Sequence, residues 1–322
     1  MDAHRSPIPV SFFGIAVGVL ALANAWHVAG RVWRLPAELA NAFTLAGLLV
    51  WLTVALLYAH KWLLHRAEAE AEMRHPVQSS FAALGPVSTL LAAMALLPYS
   101  RPLAIGLFAV ALVGQLALGL WLYGRFWQGG RQPELVTPAV YLPAVAQNFV
   151  AGTAAASFGW PQLGALFFGA GVFSWLAIES MILSRAAIQQ PTPEALRPVL
   201  GIQLAPAVVG GVTYMSLTSG VPDLFAQMLL GYGLYQALLL LRLLPWIAKQ
   251  AFAPSYWAFS FGVAALPTLA MRMLERGATG PVEWLAPALF VAANLATGVL
   301  VLKTLALLVT GRLLPVAVPS HG

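Results

Sequence analysis

The chain has no cysteine among its 322 residues, which removes disulfides, thiolate metal ligands and cysteine nucleophiles from consideration together. Charge is scarce too: Asp, Glu, Lys and Arg make up 9% of the residues, against roughly one quarter in an ordinary soluble domain. No nucleophile elbow, phosphate-binding loop, dinucleotide fingerprint or zinc signature is present. These absences argue against an enzyme and against a resident cofactor or metal.

What fills the chain is apolar. Hydrophobic residues make up 60% of it and the mean hydropathy is +0.80. Ten apolar stretches can be drawn, at 8–27, 39–64, 78–97, 103–124, 140–158, 162–184, 199–219, 224–244, 254–271 and 284–309. Most reach the roughly 20 residues a helix needs to cross the hydrocarbon core, where every backbone amide must be satisfied within the protein. The chain therefore reads as an all-α integral membrane protein, a single transmembrane domain over residues 1–322. Arg5 ahead of an apolar run, with Ala21, Ala23 and Ala25, has the look of a signal peptide. Against that, Pro9-Val10-Ser11-Phe12-Phe13-Gly14 begins as the later spans do, so it is read as the first span.

The clearest pattern is a proline that opens an apolar, glycine-rich stretch five times, at Pro9, Pro76, Pro138, Pro198 and Pro254. The interval leaves room for two spans and their connections, which predicts five helical hairpins. Prolines recur inside the odd spans at Pro86, Pro143, Pro206 and Pro267, beside Gly14, Gly18, Gly85, Gly152, Gly210, Gly211 and Gly262. Proline kinks a helix and glycine permits close backbone approach, so the odd helices suit a crowded inner ring. The even spans, such as Leu45 to Leu57 and Leu229 to Leu244, carry longer runs of Leu, Ala and Val and suit a lipid-facing outer ring.

Ten spans put both termini on one side, with Arg5, Lys61, Arg66, Arg74, Arg125, Arg131, Arg185, Arg197, Arg242, Lys249, Lys303 and Arg312. The other side holds Arg31, Arg34, Arg101, Arg272 and Arg276. The positive-inside rule places the richer side, and both termini, in the cytoplasm. Topology thus accounts for the sequence pI near 9.9 without a nucleic-acid partner.

Five equivalent helices around an axis leave that axis available as a pore. From Ile8 to Val19, Val77 to Leu97, Ala139 to Phe158, Val199 to Thr218 and Ser255 to Met271 there is no Asp, Glu, Lys, Arg or His. Driven pumps and many ion-coupled transporters use intramembrane ionisable residues, and cation pathways commonly show acidic rings. A neutral bore with a basic cytoplasmic vestibule, supplied by Arg5, Arg66, Arg74, Arg131, Arg197 and Lys249, would instead gather small anions and pass them passively. Counting seven residues on from each leading proline gives Ala16, Ala83, Val145, Ala205 and Phe261, four smaller side chains and one aromatic ring. Phe261 is then a candidate steric gate or a packing residue. With Gly14 and Gly262 these form the candidate pore lining.

Phe126-Trp127-Gln128-Gly129-Gly130, then Tyr141 to Ala146 with Asn148-Phe149, Leu166 to Gly171, Leu204 to Ala207, Gly231-Tyr232-Gly233, Leu241 to Trp246 and Trp257 to Gly262 together resemble the TehA tellurite-resistance family. That family includes plant slow anion channels and fungal dicarboxylate or sulfite carriers. The resemblance implies ten helices in five hairpins around a pore, homotrimers with one pore per protomer, and a phenylalanine in the ninth helix that occludes it. The motif places that residue at Phe261, with Phe259 as the neighbouring alternative. It also leaves open a carrier or exporter of dicarboxylate, sulfite or tellurite-type oxyanions.

Three further features invite interpretation. Glu179, within the sixth span, needs a partner in lipid, and Arg242 is a candidate with Arg185 competing. Lys303 is near enough to the cytoplasmic end to snorkel. His60, His65 and His75 flank Glu68, Glu70 and Glu72, whose alternate spacing predicts a solvated loop helix rather than a metal site.

Overall fold

The computed structural model describes residues 8–130 and 132–314, with Glu134 as backbone only. The helices in chain order are α1 (Phe13–Trp33), α2 (Ala37–Leu64), α3 (Arg66–Arg74), α4 (Gln78–Phe81), α5 (Leu84–Leu96) and α6 (Arg101–Trp127). They continue with α7 (Gln147–Ser157), α8 (Pro161–Ile188), α9 (Ala205–Leu217), α10 (Leu224–Ile247), α11 (Ser260–Glu275) and α12 (Pro281–Val309). Among the described residues no strand occurs, and nine helices are long and apolar enough to cross a membrane.

Four of these runs join α1, α5, α9 or α11 to the short helical segment before it, and the expected fifth span is the exception because a π-helical turn interrupts it. It begins as a 3₁₀ turn at Pro138–Tyr141, widens into a π-helical turn at Leu142–Ala146 and becomes α-helical only in α7. Pro143 lies in the widened turn, where its missing amide and its ring prevent a regular i→i−4 ladder. The leading prolines have the same local effect elsewhere. Pro9 precedes a 3₁₀ turn (Val10–Phe12), Pro254 opens one (Pro254–Phe259), and Pro198 lies within one (Glu194–Leu204).

The odd and even spans differ in burial as their composition predicts. In the most apolar windows, 61–78% of residues are buried in the spans ending in α1, α5, α9 and α11, against 17–33% for α2, α6, α8, α10 and α12. Leu45, Leu49 and Leu56 on α2 and Leu295 and Leu302 on α12 are exposed, an arrangement costly in water but suited to hydrocarbon.

Each buried helix packs on the exposed one that follows it: α1 on α2, α5 on α6, α7 on α8, α9 on α10 and α11 on α12. The buried helices also contact one another in a closed cycle, α1 to α5, α5 to α7, α7 to α9, α9 to α11 and α11 back to α1. Small residues set the close approaches, since packing rather than hydrophobic drive joins helices in lipid. A Cβ on Gly164 would lie 2.8 Å from the Gly152 carbonyl oxygen, so α7 and α8 touch backbone to backbone there.

At the end that carries the N-terminus, α3 folds back on the bundle and is only partly the expected solvated helix. Glu70 sits between Arg66 and Arg74, whereas Glu72 turns inward. Its Oε1 accepts from the Val10 amide at 2.8 Å and its Oε2 from Lys61 Nζ at 2.9 Å. His75 Nδ1 accepts from the Val77 and Gln78 amides and so caps α4.

Candidate ion pathway

The site is built on the inward stripe of each buried helix. A 3.6-residue period carries Gly14, Val17, Ala21 and Asn24 up one side of α1, and Phe261, Ala265, Thr268 and Arg272 up one side of α11, with Ala258 continuing the line in the 3₁₀ turn before it. Two cavities lie along these stripes. One, of about 330 Å³, is lined by Ala21 and Asn24 from α1, Leu91 and Met94 from α5, Val150 and Thr153 from α7, Val209 and Val212 from α9, and Ala265 and Thr268 from α11. The other, of about 40 Å³, is lined by Gly14 and Val17, Phe81 and Leu84, Leu142 and Ala146, Ile202 and Ala205, and Trp257 and Ala258. All five buried elements contribute to each cavity. Among these linings one residue is common to both: Phe261.

The backbone around Phe261 is held from outside. Trp257 Nε1 donates to Thr304 Oγ1 at 2.9 Å, tying the 3₁₀ turn to α12, and Ser260 Oγ donates back to the Trp257 carbonyl at 2.7 Å. A Cβ on Gly262 would fall 2.8 Å from Leu204 Cβ, so that glycine seats α11 against the 3₁₀ segment before α9. Gly201 is the counterpart, with Phe259 packed where its Cβ would be. Phe259 faces that contact and the Tyr256 ring, and it is not among the residues lining either cavity. Phe261 packs on Ala21, Leu22 and Ala264 while remaining half-buried.

The predicted lining residues divide. Gly14 and Ala205 line the smaller cavity, and Val145 lines a small void with Tyr141 and Phe149 between helices. Ala16 and Ala83 are fully buried in helix contacts and line neither cavity, and Gly262 is used for packing. The reason is rotational. The 3₁₀ and π turns after the prolines advance the chain at a pitch other than 3.6, so equal counts from each proline do not reach equal azimuths. On α1 the stripe runs through Gly14 and Val17, and Ala16 points elsewhere.

Charge is also distributed differently from the expected basic vestibule at the N-terminal end. Arg66 and Arg74 both pair with Glu70, and Arg197 stacks over Trp246 at 4.3 Å with Glu194 at 3.9 Å. Neither these residues nor Lys249 lines the cavities, and Arg5 and Arg131 lie outside the described residues. The cationic lining sits at the opposite end, where Arg31 and Arg272 face the larger cavity beside His27. Arg31 is paired with Glu275 at 2.5 Å, His27 shares a 2.9 Å hydrogen bond with Thr44, and Arg272 Nη1 donates to Ser216 Oγ at 2.6 Å. Arg272 was missed because the charge-free stretch stops one residue before it, although its place on the Phe261 stripe was readable.

Glu179 is not ion-paired with Arg242, which is exposed on α10. It accepts from four neutral donors: Tyr141 Oη, Trp175 Nε1 at 2.8 Å, Gln203 Nε2 at 2.7 Å and Tyr232 Oη at 2.8 Å. Among the described residues no cation lies within ion-pair distance of it. Hydrogen bonds can satisfy a buried carboxylate as a counter-charge would. Arg185 donates instead to Thr192 Oγ1 and the Gln190 carbonyl. Lys303 lies over the Phe252 ring at 5.5 Å.

Comparison with known proteins follows the same line. The family model for SLAC1, described as a voltage-dependent anion channel, matches residues 7–305. A tellurite resistance protein TehA homolog of Haemophilus influenzae is 35% identical over 307 residues, covering 95% of this chain and 92% of that one. Two uncharacterized transporters of Methanocaldococcus jannaschii are 23% and 24% identical, over 66% and 64% of this chain and 69% and 66% of their own.

Proposed function

We propose that this chain, which belongs to the SLAC1 voltage-dependent anion channel family, conducts small inorganic anions passively along the axis of its five buried helical elements, closed by Phe261. The ten-element reading counts the composite run 138–157 as the fifth inner span, giving five hairpins around one pore in a single transmembrane domain. The observation that carries the proposal is the position of Phe261 in the linings of both cavities. The ring stands between a donor-bearing outer cavity and a small apolar inner one, and neither lining contains Asp or Glu. An anion meets no fixed negative charge on this route, and selection among anions rests mainly on the cost of shedding water.

The Haemophilus relative is named for tellurite resistance, and for this chain tellurite-type oxyanions are candidate cargo rather than an established one. Two cavities with a thin barrier between them also suit a carrier of dicarboxylate, sulfite or similar oxyanions. Recording from the purified full chain in planar bilayers separates the two. A channel gives discrete conductance steps whose reversal potential follows the anion gradient, and saturable counterflow without current would overturn the channel in favour of the carrier.

The proposal includes an inner-membrane location with both termini in the cytoplasm and a homotrimer with one pore per protomer. A reporter active only in the periplasm should stay silent when fused after Gly322, and native mass spectrometry in mild detergent should give three copies. An active reporter reverses the orientation, and a stable monomer removes the trimer.

A further inference from the structure

We propose that the larger cavity carries a docking site for a small oxyanion on the guanidinium of Arg272, about three helical turns outside Phe261. The inference rests on the ion-pathway reading in treating this cavity as part of the anion's route. Two arginines line the cavity, and they are not equivalent. Arg31 is held by the Glu275 carboxylate, with its Nε at 2.5 Å from Oε1. Arg272 has one hydrogen bond among the described residues, from Nη1 to the neutral hydroxyl of Ser216.

That bond fixes the guanidinium by one corner and leaves its other edge unused. Nε is buried without a partner, and Nη2 makes no hydrogen bond within the described residues. Nε–H is sealed by the surrounding protein, so the pair of donors that can grip two oxygens of one anion is the end-on one, Nη2–H with the second Nη1–H. The cavity lining offers no carboxylate to neutralise this guanidinium.

The other polar groups of the lining narrow the choice. The hydroxyls of Thr153, Ser157 and Thr268 donate to carbonyls one turn back in their own helices, so they are not free to donate to an anion. Asn24 makes no hydrogen bond among the described residues and is a second open donor, deeper along the route. The volume of about 330 Å³ accommodates an oxyanion together with several waters, a water taking about 30 Å³. A two-pronged edge favours nitrate-like or selenate-like ions over a spherical halide, which cannot place two oxygens on it.

The test is thermal unfolding of the full chain in mild detergent, titrated with nitrate against chloride at constant ionic strength. A ligand that binds the folded state alone raises the melting temperature saturably. The wild type should show a nitrate-specific rise. Arg272→Gln should weaken the apparent nitrate affinity by about tenfold or more, the equivalent of losing one charged hydrogen-bonding contact. Arg272→Lys, which keeps the charge but loses the paired edge, should fall between. If Arg272→Gln does not fold, Arg272→Lys and Ser216→Ala carry the test, since each should reduce the nitrate response. A wild type without nitrate-specific stabilisation, or variants that keep the full response, would overturn the site. Nitrate binding that depends on Arg272 in a protein that passes no current keeps the site and loses the channel. Current with an unaltered nitrate response in the variants keeps the channel and loses the site.

Discussion

Phe261→Ala is expected to raise anion current well above the wild-type level without loss of assembly. The ring lines both the 40 Å³ and the 330 Å³ cavity, and the five buried elements around it touch one another in a closed cycle, while Trp257–Thr304 and the Gly262–Leu204 contact hold its own backbone. Truncation should therefore join the cavities rather than collapse them. Removing only about 1.4 kcal/mol of the barrier that the ring imposes gives a tenfold gain in rate. Phe261→Leu should be intermediate. A phenylalanine in a packed core behaves otherwise, losing about 3–5 kcal/mol on truncation to Ala. Phe259, half-buried like Phe261 but packed on Gly201 and lining neither cavity, supplies the comparison: Phe259→Ala should lower the melting temperature without opening the path. Current and melting temperature measured on the same preparations decide the matter. A destabilised Phe261→Ala protein with unchanged or lower current would falsify the gate.

The second large effect is expected at the N-terminal end, where breaking the Lys61–Glu72 pair should be strongly destabilising. The two side chains are 5% and 10% exposed and 2.9 Å apart. Lys61 Nζ also donates to the Ile8 carbonyl at 3.2 Å, and Glu72 accepts the Val10 amide, so the pair clasps the chain just before α1. Lys61→Met leaves Glu72 buried without its counter-charge, a change that typically costs about 3–5 kcal/mol. The double variant Lys61→Met with Glu72→Leu should recover much of that loss, because a buried pair replaced by apolar groups is often close to neutral. Thermal unfolding of the single and double variants reads this directly. A single variant that melts with the wild type would show that the pair contributes little to stability.

Glu72 shows where one-dimensional reading stops. Its alternation with Glu68 and Glu70 describes a helix open to water, which holds for Glu68, exposed at the surface, and for Glu70 between its two arginines. Only the fold-back of α3 onto the start of α1 turns Glu72 inward. Glu179 is similar: its need for partners was legible, but its donors come from residues 24, 38 and 53 positions away as well as from its own helix. The nearby charges in sequence were therefore poor guides to what satisfies it.

The sequence by itself determined the membrane class, most span positions and the odd and even division, and it singled out Phe261 as a candidate. Hydrophobic length, proline placement and the absence of charge act locally, within one span at a time, and so survive without coordinates. Tertiary structure alone decided which face of each helix turns inward. The 3₁₀ and π turns beside Pro9, Pro138, Pro198 and Pro254 rotate the helices that follow by an amount no residue count contains, which takes Ala16 into helix contacts and brings Arg272 onto the cavity. It also decided which charges are cancelled. That depends on distances between segments far apart in the chain, as when Glu275 neutralises Arg31 and leaves the edge of Arg272 open.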